Sequence, residues 1–253
     1  MKIKLLLIII ISLSGVISLQ AQTKMDIIAV LNDSIKTFNI QHKIAYQNTS
    51  NDVITEIYLN DWANSYKDKS TPLAKRFAED YSRRFHFAKE EERGYTKIYS
   101  VTNDNLKAYN WERPVDAADL LKIILEEPLL PGEYVSINLL YSVKIPSEKF
   151  TRFGYDDNGN FKLNYWYLTP AVYNNGWQIY SDKNLANQYA APVSVKLKLS
   201  TRPYLYVASP LTLDRLVTED TYKTSYLSGD NSVSSQLYLT KSYRFESIMA
   251  NST

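Results

Sequence analysis

In the segment 134–146 (YVSINLLYSVKIP), an apolar side chain occupies every second position from Val135 to Ile145, and most of the positions between them are polar. Because the side chains of a β-strand point alternately to the two faces of a sheet, this pattern predicts a strand, long enough to lie inside a sheet. The composition agrees, since the chain has 21 Tyr but only 7 Gly and no Cys, and Tyr favours half-buried sheet surfaces. A chain of 253 residues can bury a sizeable core. We therefore expect one large, mostly β domain.

Shorter strand-like runs lie on both sides of this segment. They are residues 35–46, 53–60, 95–102, 119–125, 193–199, 204–209, 222–227 and 236–245. Polar clusters predict a hairpin at residues 48–52, a second hairpin at Asn158-Gly159 and a turn at residues 228–232. No internal repeat or linker divides the chain after its N-terminus. The predicted fold class is all-β (mostly), a sandwich of antiparallel strands.

One helical insert is predicted, near residues 71–90. Thr71 suits the N-cap, and Pro72 suits the first helical position, where its missing N–H costs nothing. Apolar side chains then recur at every fourth position, which indicates a helix that packs on a sheet or, alternatively, binds a partner. This stripe is formed by Leu73, Phe77, Tyr81 and Phe85.

The N-terminus predicts the compartment. Lys2 and Lys4 precede an apolar run over residues 5–17, and Ala21 offers a small residue for cleavage, which is the layout of a secretory signal peptide. We predict a signal peptide at residues 1–21 and a domain at residues 22–253, exported to the periplasm or the extracellular space. No Cys follows the apolar run, which excludes a lipoprotein anchor, and no stable membrane span is expected after cleavage.

The charge balance argues against a nucleic-acid partner. Removal of Lys2 and Lys4 leaves 27 of the 29 basic residues, against 27 acidic ones. Because these charges are interspersed, the exported chain has no basic stripe that would follow a phosphate backbone.

The sequence lacks the motifs of hydrolytic enzymes. A zinc peptidase needs His-Glu-x-x-His, but the only histidines are His42 and His86, and Glu follows neither. A Gly-x-Ser-x-Gly elbow and a Gly-rich phosphate loop are also missing. We therefore expect no catalytic residue, no metal ligand and no cofactor in this chain, and we interpret both histidines as structural or exposed.

Two groups of carboxylates remain, Asp156-Asp157 and the run Glu90-Glu91-Glu92. A glycosidase needs two acids that face each other across a cleft, and the Asp156 loop has some features of a calcium loop but lacks its later Glu. A hairpin turn and a solvated helix end are the simpler interpretations.

The best binding candidate is an aromatic cluster in the middle of the chain. Its members are Tyr165, Trp166, Tyr167, Tyr173, Trp177 and Tyr180. Such rings stack on sugars or cover the side chains of peptides. They also fill a sandwich core or an interface with another domain, which is the interpretation that we favour.

Several stretches resemble the N-terminal domain of aminopeptidase N-like (gluzincin) zinc metallopeptidases. Residues 46–60 resemble the start of that domain, and Pro131-Gly132-Glu133 resembles the entry into its long strand. Residues 165–209 resemble the region around its F-P-x-x-D-x-P segment, although that segment is not intact here. A secreted Bacteroidetes-type branch of the family is indicated by residues 59–62, 71–77 and 92–94. The resemblance covers about residues 35–253.

The resemblance implies a saddle-like sandwich that is not catalytic. Such a domain walls the active-site cleft and docks a downstream catalytic domain, which would begin after Thr253, so zinc is expected only in a full-length relative. The family residue that binds the free amine of the substrate has no match here. The alternatives are a free-standing exported module that binds a glycan or a peptide through the aromatic cluster, and an envelope adaptor without a ligand.

Overall fold

The computed structural model describes residues 23–181, 189–233 and 236–242. The predicted signal peptide at residues 1–21 lies outside the described residues. In chain order the strands are β1 (Lys24–Asn32), β2 (Thr37–Gln47), β3 (Ile54–Asn60), β4 (Tyr95–Thr102), β5 (Asn110–Glu112), β6 (Leu120–Leu129), β7 (Tyr134–Lys144), β8 (Gly154–Tyr155), β9 (Phe161–Leu163), β10 (Thr169–Pro170), β11 (Val172–Tyr173), β12 (Trp177–Gln178), β13 (Val193–Thr201), β14 (Tyr206–Ala208), β15 (Thr212–Thr218), β16 (Lys223–Ser232) and β17 (Leu237–Thr240). The helices are α1 (Pro72–Glu79) and α2 (Arg84–Phe87), with 3-10 helices at Trp62–Tyr66, Glu90–Glu92 and Glu148–Phe150. The prediction of a mostly β fold with a helical insert is confirmed.

The strands form one large sheet, two smaller four-stranded sheets and the separate two-stranded hairpin β11–β12. The large sheet has seven strands in the order β15-β16-β13-β1-β2-β7-β4. The smaller sheets have four strands each, in the orders β10-β3-β6-β5 and β14-β17-β9-β8. One continuous cluster of buried apolar residues contains side chains from the large sheet and from both four-stranded sheets, as expected for layers that share a core. The described strands pair antiparallel, as predicted, except for β1 and β13, which are parallel.

Strand β7 confirms the prediction made from its alternation. It pairs with β2 on one side and β4 on the other, so it lies inside the large sheet. Strand β1 was not predicted, although its side chains alternate between buried and exposed and it lies between β2 and β13. It comes soon after the apolar run of residues 5–17, beside which a short alternating run does not stand out.

The hairpin predicted at residues 48–52 is wrong, because β2 and β3 belong to different sheets. The Asn48 side-chain amide donates hydrogen bonds to the carbonyl oxygens of Asp52 (2.7 Å) and Leu129 (3.0 Å). The backbone N–H of Gly132 donates to the Asn48 carbonyl oxygen at 2.8 Å. These hydrogen bonds join the β2–β3 connection to the β6–β7 connection. Each of these connections crosses between the large sheet and a smaller one. A polar turn cluster alone does not distinguish such a crossing from a hairpin.

The turn predicted at residues 228–232 is also wrong, since these residues are the end of strand β16. The turn that precedes β16 is closed instead by a hydrogen bond from the Glu219 N–H to the Tyr222 carbonyl oxygen, at 2.8 Å. It joins β16 to β15, a strand that the sequence did not predict.

The predicted apolar stripe is divided between two helices. Helix α1 ends at Glu79 in a Schellman motif, in which the Ser82 N–H donates to the Phe77 carbonyl oxygen (2.7 Å) and Tyr81 has a left-handed φ of 55°. The Tyr81 side chain is therefore exposed, and its place in the stripe was predicted wrongly. Phe85 is buried as expected, but it belongs to α2.

Replacing Thr71 by Ala is expected to lower the free energy of unfolding by about 1 kcal/mol. The Thr71 hydroxyl accepts a hydrogen bond from the Ala74 N–H (3.2 Å) and donates one to the Ser65 carbonyl oxygen (2.7 Å). Urea unfolding of the two proteins measures the difference. Ser70→Ala is the matched control, because Ser70 is exposed and its hydroxyl donates to the nearby Asp68 carboxylate, outside the helix. A loss as large in the control would contradict the N-cap assignment.

Candidate functional site

The predicted aromatic cluster separates into a buried half and a half at the surface. Tyr165, Trp166 and Tyr167 are buried, with 7%, 1% and 4% of their surface exposed. Tyr173 and Trp177 are partly exposed, and Tyr180 is 49% exposed. The segment between β9 and β10 carries the buried half, while the hairpin β11–β12 and the residues after it carry the other half.

The buried half fills the space between the layers. The Trp166 ring lies 4.6 Å from Phe38 and 5.0 Å from Tyr167, measured between ring centroids. Tyr167 also packs edge-on against His42, with 5.9 Å between the centroids. Because Phe38 and His42 belong to strand β2, these rings attach the segment after β9 to the middle of the large sheet.

The surface half is organised around Trp177. Its ring lies 5.9 Å from Tyr46, 5.7 Å from Tyr58 and 5.2 Å from Tyr173. The Tyr173 hydroxyl donates a hydrogen bond to Asp52 at 3.0 Å. Tyr46 comes from the large sheet and Tyr58 from a smaller one, so the hairpin covers the place where the two layers meet.

A cleft of about 450 Å³ opens beside this hairpin. The described residues of its lining are uncharged and include Tyr46, Gln47, Pro170, Tyr173 and Pro192. Burial, followed by electrostatic repulsion from the neighbouring Tyr173 when both phenols ionise, raises the pKa of Tyr46 to about 12, so this phenol is protonated and can donate at neutral pH. An uncharged cleft with aromatic walls suits a neutral peptide or sugar better than a free ion.

The two histidines lie in different surroundings. His42 is buried in the core, with its Nδ1 3.1 Å from the Tyr141 hydroxyl. His86 is in helix α2, where its Nε2 lies 3.1 Å from the Ala74 carbonyl oxygen. Within the described part of the chain, no three His, Cys, Asp or Glu side chains are grouped so that they could hold a metal ion. That the chain holds no zinc or other cofactor remains a prediction.

The carboxylates singled out in the sequence serve local structure. Asp156 accepts hydrogen bonds from the Asn160 N–H and from its side-chain amide, both at 2.8 Å, and closes the predicted hairpin between β8 and β9. Gly159 has the left-handed φ of 79° that this turn requires. Asp157 is exposed, 3.8 Å from Lys149. The Glu92 carboxylate accepts a hydrogen bond from the Lys89 N–H (2.9 Å) and so caps its own short 3-10 helix.

A buried polar network near the insert was not predicted. Asp61 is 3% exposed, pairs with Arg113 at 2.6 Å and accepts a hydrogen bond from the Thr96 hydroxyl at 2.5 Å. Asp119 accepts from the Ser65 and Ser181 hydroxyls, and burial raises its pKa. The network anchors the chain that follows β12. Its partners are more than 30 residues apart in sequence, and no spacing rule connects them.

No protein-family model matches the chain, and a search of curated proteins found no match. Solved structures with a similar fold exist. A mutant M1 zinc metallopeptidase from Deinococcus radiodurans is 11% identical, with a TM-score of 0.51 over 87% of this chain and 42% of that one. A mutant of an M1 zinc metallopeptidase from the same organism, bound to a Tyr-Ser-Ala substrate, is 10% identical, with a TM-score of 0.51 over 87% of this chain and 43% of that one.

The chain thus spans less than half of the length of these metallopeptidases. At such low identity, the similarity shows a shared fold. The helices of the described residues are all too short or too polar to cross a membrane.

Proposed function

We propose that this chain is the non-catalytic N-terminal domain of a secreted, aminopeptidase N-like metallopeptidase. In this role it walls the active-site cleft and docks a zinc-bearing catalytic domain. The observation that carries the proposal is the fold, which matches part of two M1 zinc metallopeptidase structures over 87% of this chain. The resemblance of residues 35–253 to the same kind of domain, noted from sequence motifs, supports it independently.

The surface beside the hairpin β11–β12 is where we place the docking contact. Tyr173 and Trp177 are half-exposed there, and Tyr180 is 49% exposed. Exposed aromatic side chains are enriched at interfaces, and exposed apolar patches mark interaction sites, so this surface suits a contact between domains. The buried half of the cluster supports the same strand β2 further along its length, through Phe38 and His42.

The proposal assigns export but no peptidase activity to this chain. Its signal-like N-terminus, residues 1–21, supports a periplasmic or extracellular location. With only two histidines in the sequence, a His-Glu-x-x-His zinc site must be supplied by the catalytic domain.

The test combines zinc analysis with site-specific cross-linking. We expect the purified chain to bind less than stoichiometric zinc and to leave aminoacyl nitroanilides uncleaved. A photo-cross-linking residue in place of Tyr180, in the source cells, should capture a polypeptide that carries a zinc peptidase domain. The same residue in place of Tyr81, which is 87% exposed on the helical insert, is the control and should not. Stoichiometric zinc on the isolated chain, or equal capture at both positions, would overturn the proposal.

A second candidate function is a free-standing module that binds a glycan or a peptide. The cleft of about 450 Å³ beside Tyr173 favours it, because aromatic walls with nearby amide groups suit both ligands. Calorimetric titration with panels of neutral oligosaccharides and short peptides tests this candidate. Binding that Trp177→Ala abolishes, in a protein that stays folded, would support the module, whereas an absence of binding by the wild type would contradict it.

A further inference from the structure

Strand β15 forms one edge of the large sheet, and its inward side chains are uncovered. It pairs only with β16 among the described strands, so the backbone groups along its other side have no strand partner there. Leu213 lies opposite Leu227 of β16, which in turn lies opposite Leu197 of β13. Leu227 and Leu197 are 5% and 3% exposed, whereas Leu213 is 54% exposed. The core-facing row of apolar side chains therefore continues past the edge of the core.

The next inward position repeats this arrangement. Leu216 of β15 lies opposite Ser225 of β16, and these residues are 50% and 2% exposed. The second layer of the sandwich thus ends beneath β16. Within the described part of the chain, strand β15 consequently combines an unpaired hydrogen-bonding edge with two exposed leucines on one face, and such edges bind further strands.

We propose that two copies of this chain associate through β15, with their β15 strands antiparallel about a two-fold axis perpendicular to the sheet. The two large sheets then form one continuous sheet. The occupant of the edge is a second copy because the sequence of β15 is complementary to itself in one register. This association is independent of the proposed contact with a peptidase domain, which lies on the hairpin β11–β12.

In the register that pairs opposite charges, the two-fold axis passes between Asp214 and Arg215. Asp214 then lies opposite Arg215 of the second copy, and the reverse pair forms as well. Leu213 lies opposite Leu216 of the second copy, and both face inward, so each covers the exposed leucine of the other. Opposite charges and apolar pairs that face each other across two strands are stabilising, and like charges are destabilising.

A bulge at Asp214 makes this register possible. The pairing with β16 shifts between Leu213 and Arg215, which leaves Asp214 as the extra residue of β15. Leu213 and Leu216 therefore face the same side although they are three positions apart. Charges and bulges on an edge strand commonly prevent association. Here an acid and a base are adjacent, so a two-fold copy in this register satisfies both.

The mass of the mature chain in solution, measured by light scattering over a wide range of concentration, tests the proposal. We expect the wild type to form dimers that dissociate on dilution. Asp214→Arg and Arg215→Asp each place like charges opposite one another twice per dimer, and should raise the dissociation constant at least about tenfold. The double variant Asp214→Arg/Arg215→Asp restores opposite charges and should restore the dimer.

The double variant also controls for a contact within one chain. The Arg215 guanidinium lies 4.0 Å from the Tyr226 ring, and both variants at position 215 lose this contact equally. Circular dichroism checks that all four proteins are folded. A wild type that stays monomeric, single variants that dimerise like the wild type, or a double variant that is not restored would each overturn the proposal.

Discussion

Replacing Trp166 by Ala is expected to lower the free energy of unfolding by about 3–5 kcal/mol. Trp166 is 1% exposed, and its ring lies 4.6 Å from that of Phe38 in strand β2. Removing the indole takes its apolar surface out of the core and leaves a cavity that the surrounding strands fill only in part. Urea unfolding followed by far-UV circular dichroism measures the loss without depending on tryptophan fluorescence.

Trp177→Ala is the matched control for this prediction. The same indole is removed, but from the half-exposed hairpin, where the ring contacts Tyr46, Tyr58 and Tyr173. We expect a smaller loss of about 1–2 kcal/mol, since less apolar surface returns to water. Equal losses in the two variants would contradict the division of the cluster into a core half and a surface half. They would also remove the main reason for placing a binding or docking surface at Trp177.

Lowering the pH from 7 to 5 is expected to remove about 2 kcal/mol of folding stability through His42 alone. Burial lowers the pKa of His42 from 6.5 to about 3. The Nε2 atom is buried and has no hydrogen-bond partner among the described residues, so a proton there would be unsolvated. The groups that face the ring, Tyr141 and Tyr167, are neutral phenols because burial raises the pKa of both.

The sign of this effect follows from where the proton binds. Between pH 6.5 and about pH 3 the unfolded chain binds a proton at His42 and the folded chain does not. The free energy of unfolding therefore falls as the pH falls through this window, and the contribution stops changing below about pH 3. Most free carboxyl groups titrate below pH 5. The hydrogen bond from Lys43 lowers the pKa of Asp104 to about 2. Protonation of Asp104 therefore changes the folding stability at a lower pH than protonation of His42 does.

His42→Gln provides the comparison, because it removes the imidazole and keeps a polar side chain in the same place. Urea midpoints at pH 7, 6 and 5 should fall more steeply for the wild type than for this variant. His86→Gln removes the other histidine, which donates to the Ala74 carbonyl oxygen in the helical insert, and it serves as the control for loss of an imidazole elsewhere in the fold. Parallel pH profiles for the wild type and His42→Gln would show that His42 does not control acid stability.

The candidate site was only partly predictable from the sequence. The pattern of residues identified the aromatic cluster, because large rings near Asn and Pro stand out in a polar stretch. It could not tell Trp166 from Trp177, since burial depends on Phe38 in one case and on Tyr46 and Tyr58 in the other. The partners of a ring in a β fold come from strands that are distant in sequence.

Features that rest on local interactions can be read from the residue pattern alone. The alternation of β7, the N-cap at Thr71 and the Asn158-Gly159 hairpin each depend on residues within a few positions, and all three are present in the structure. Features that depend on long-range pairing became visible only in the folded chain. Asn48 joins two crossing connections by bonding to Leu129, and no local pattern distinguishes that arrangement from a hairpin. The parallel pairing of β1 with β13, the neutral state of His42 and the uncovered edge at β15 follow from the same long-range contacts, because strand order sets which side chains are buried.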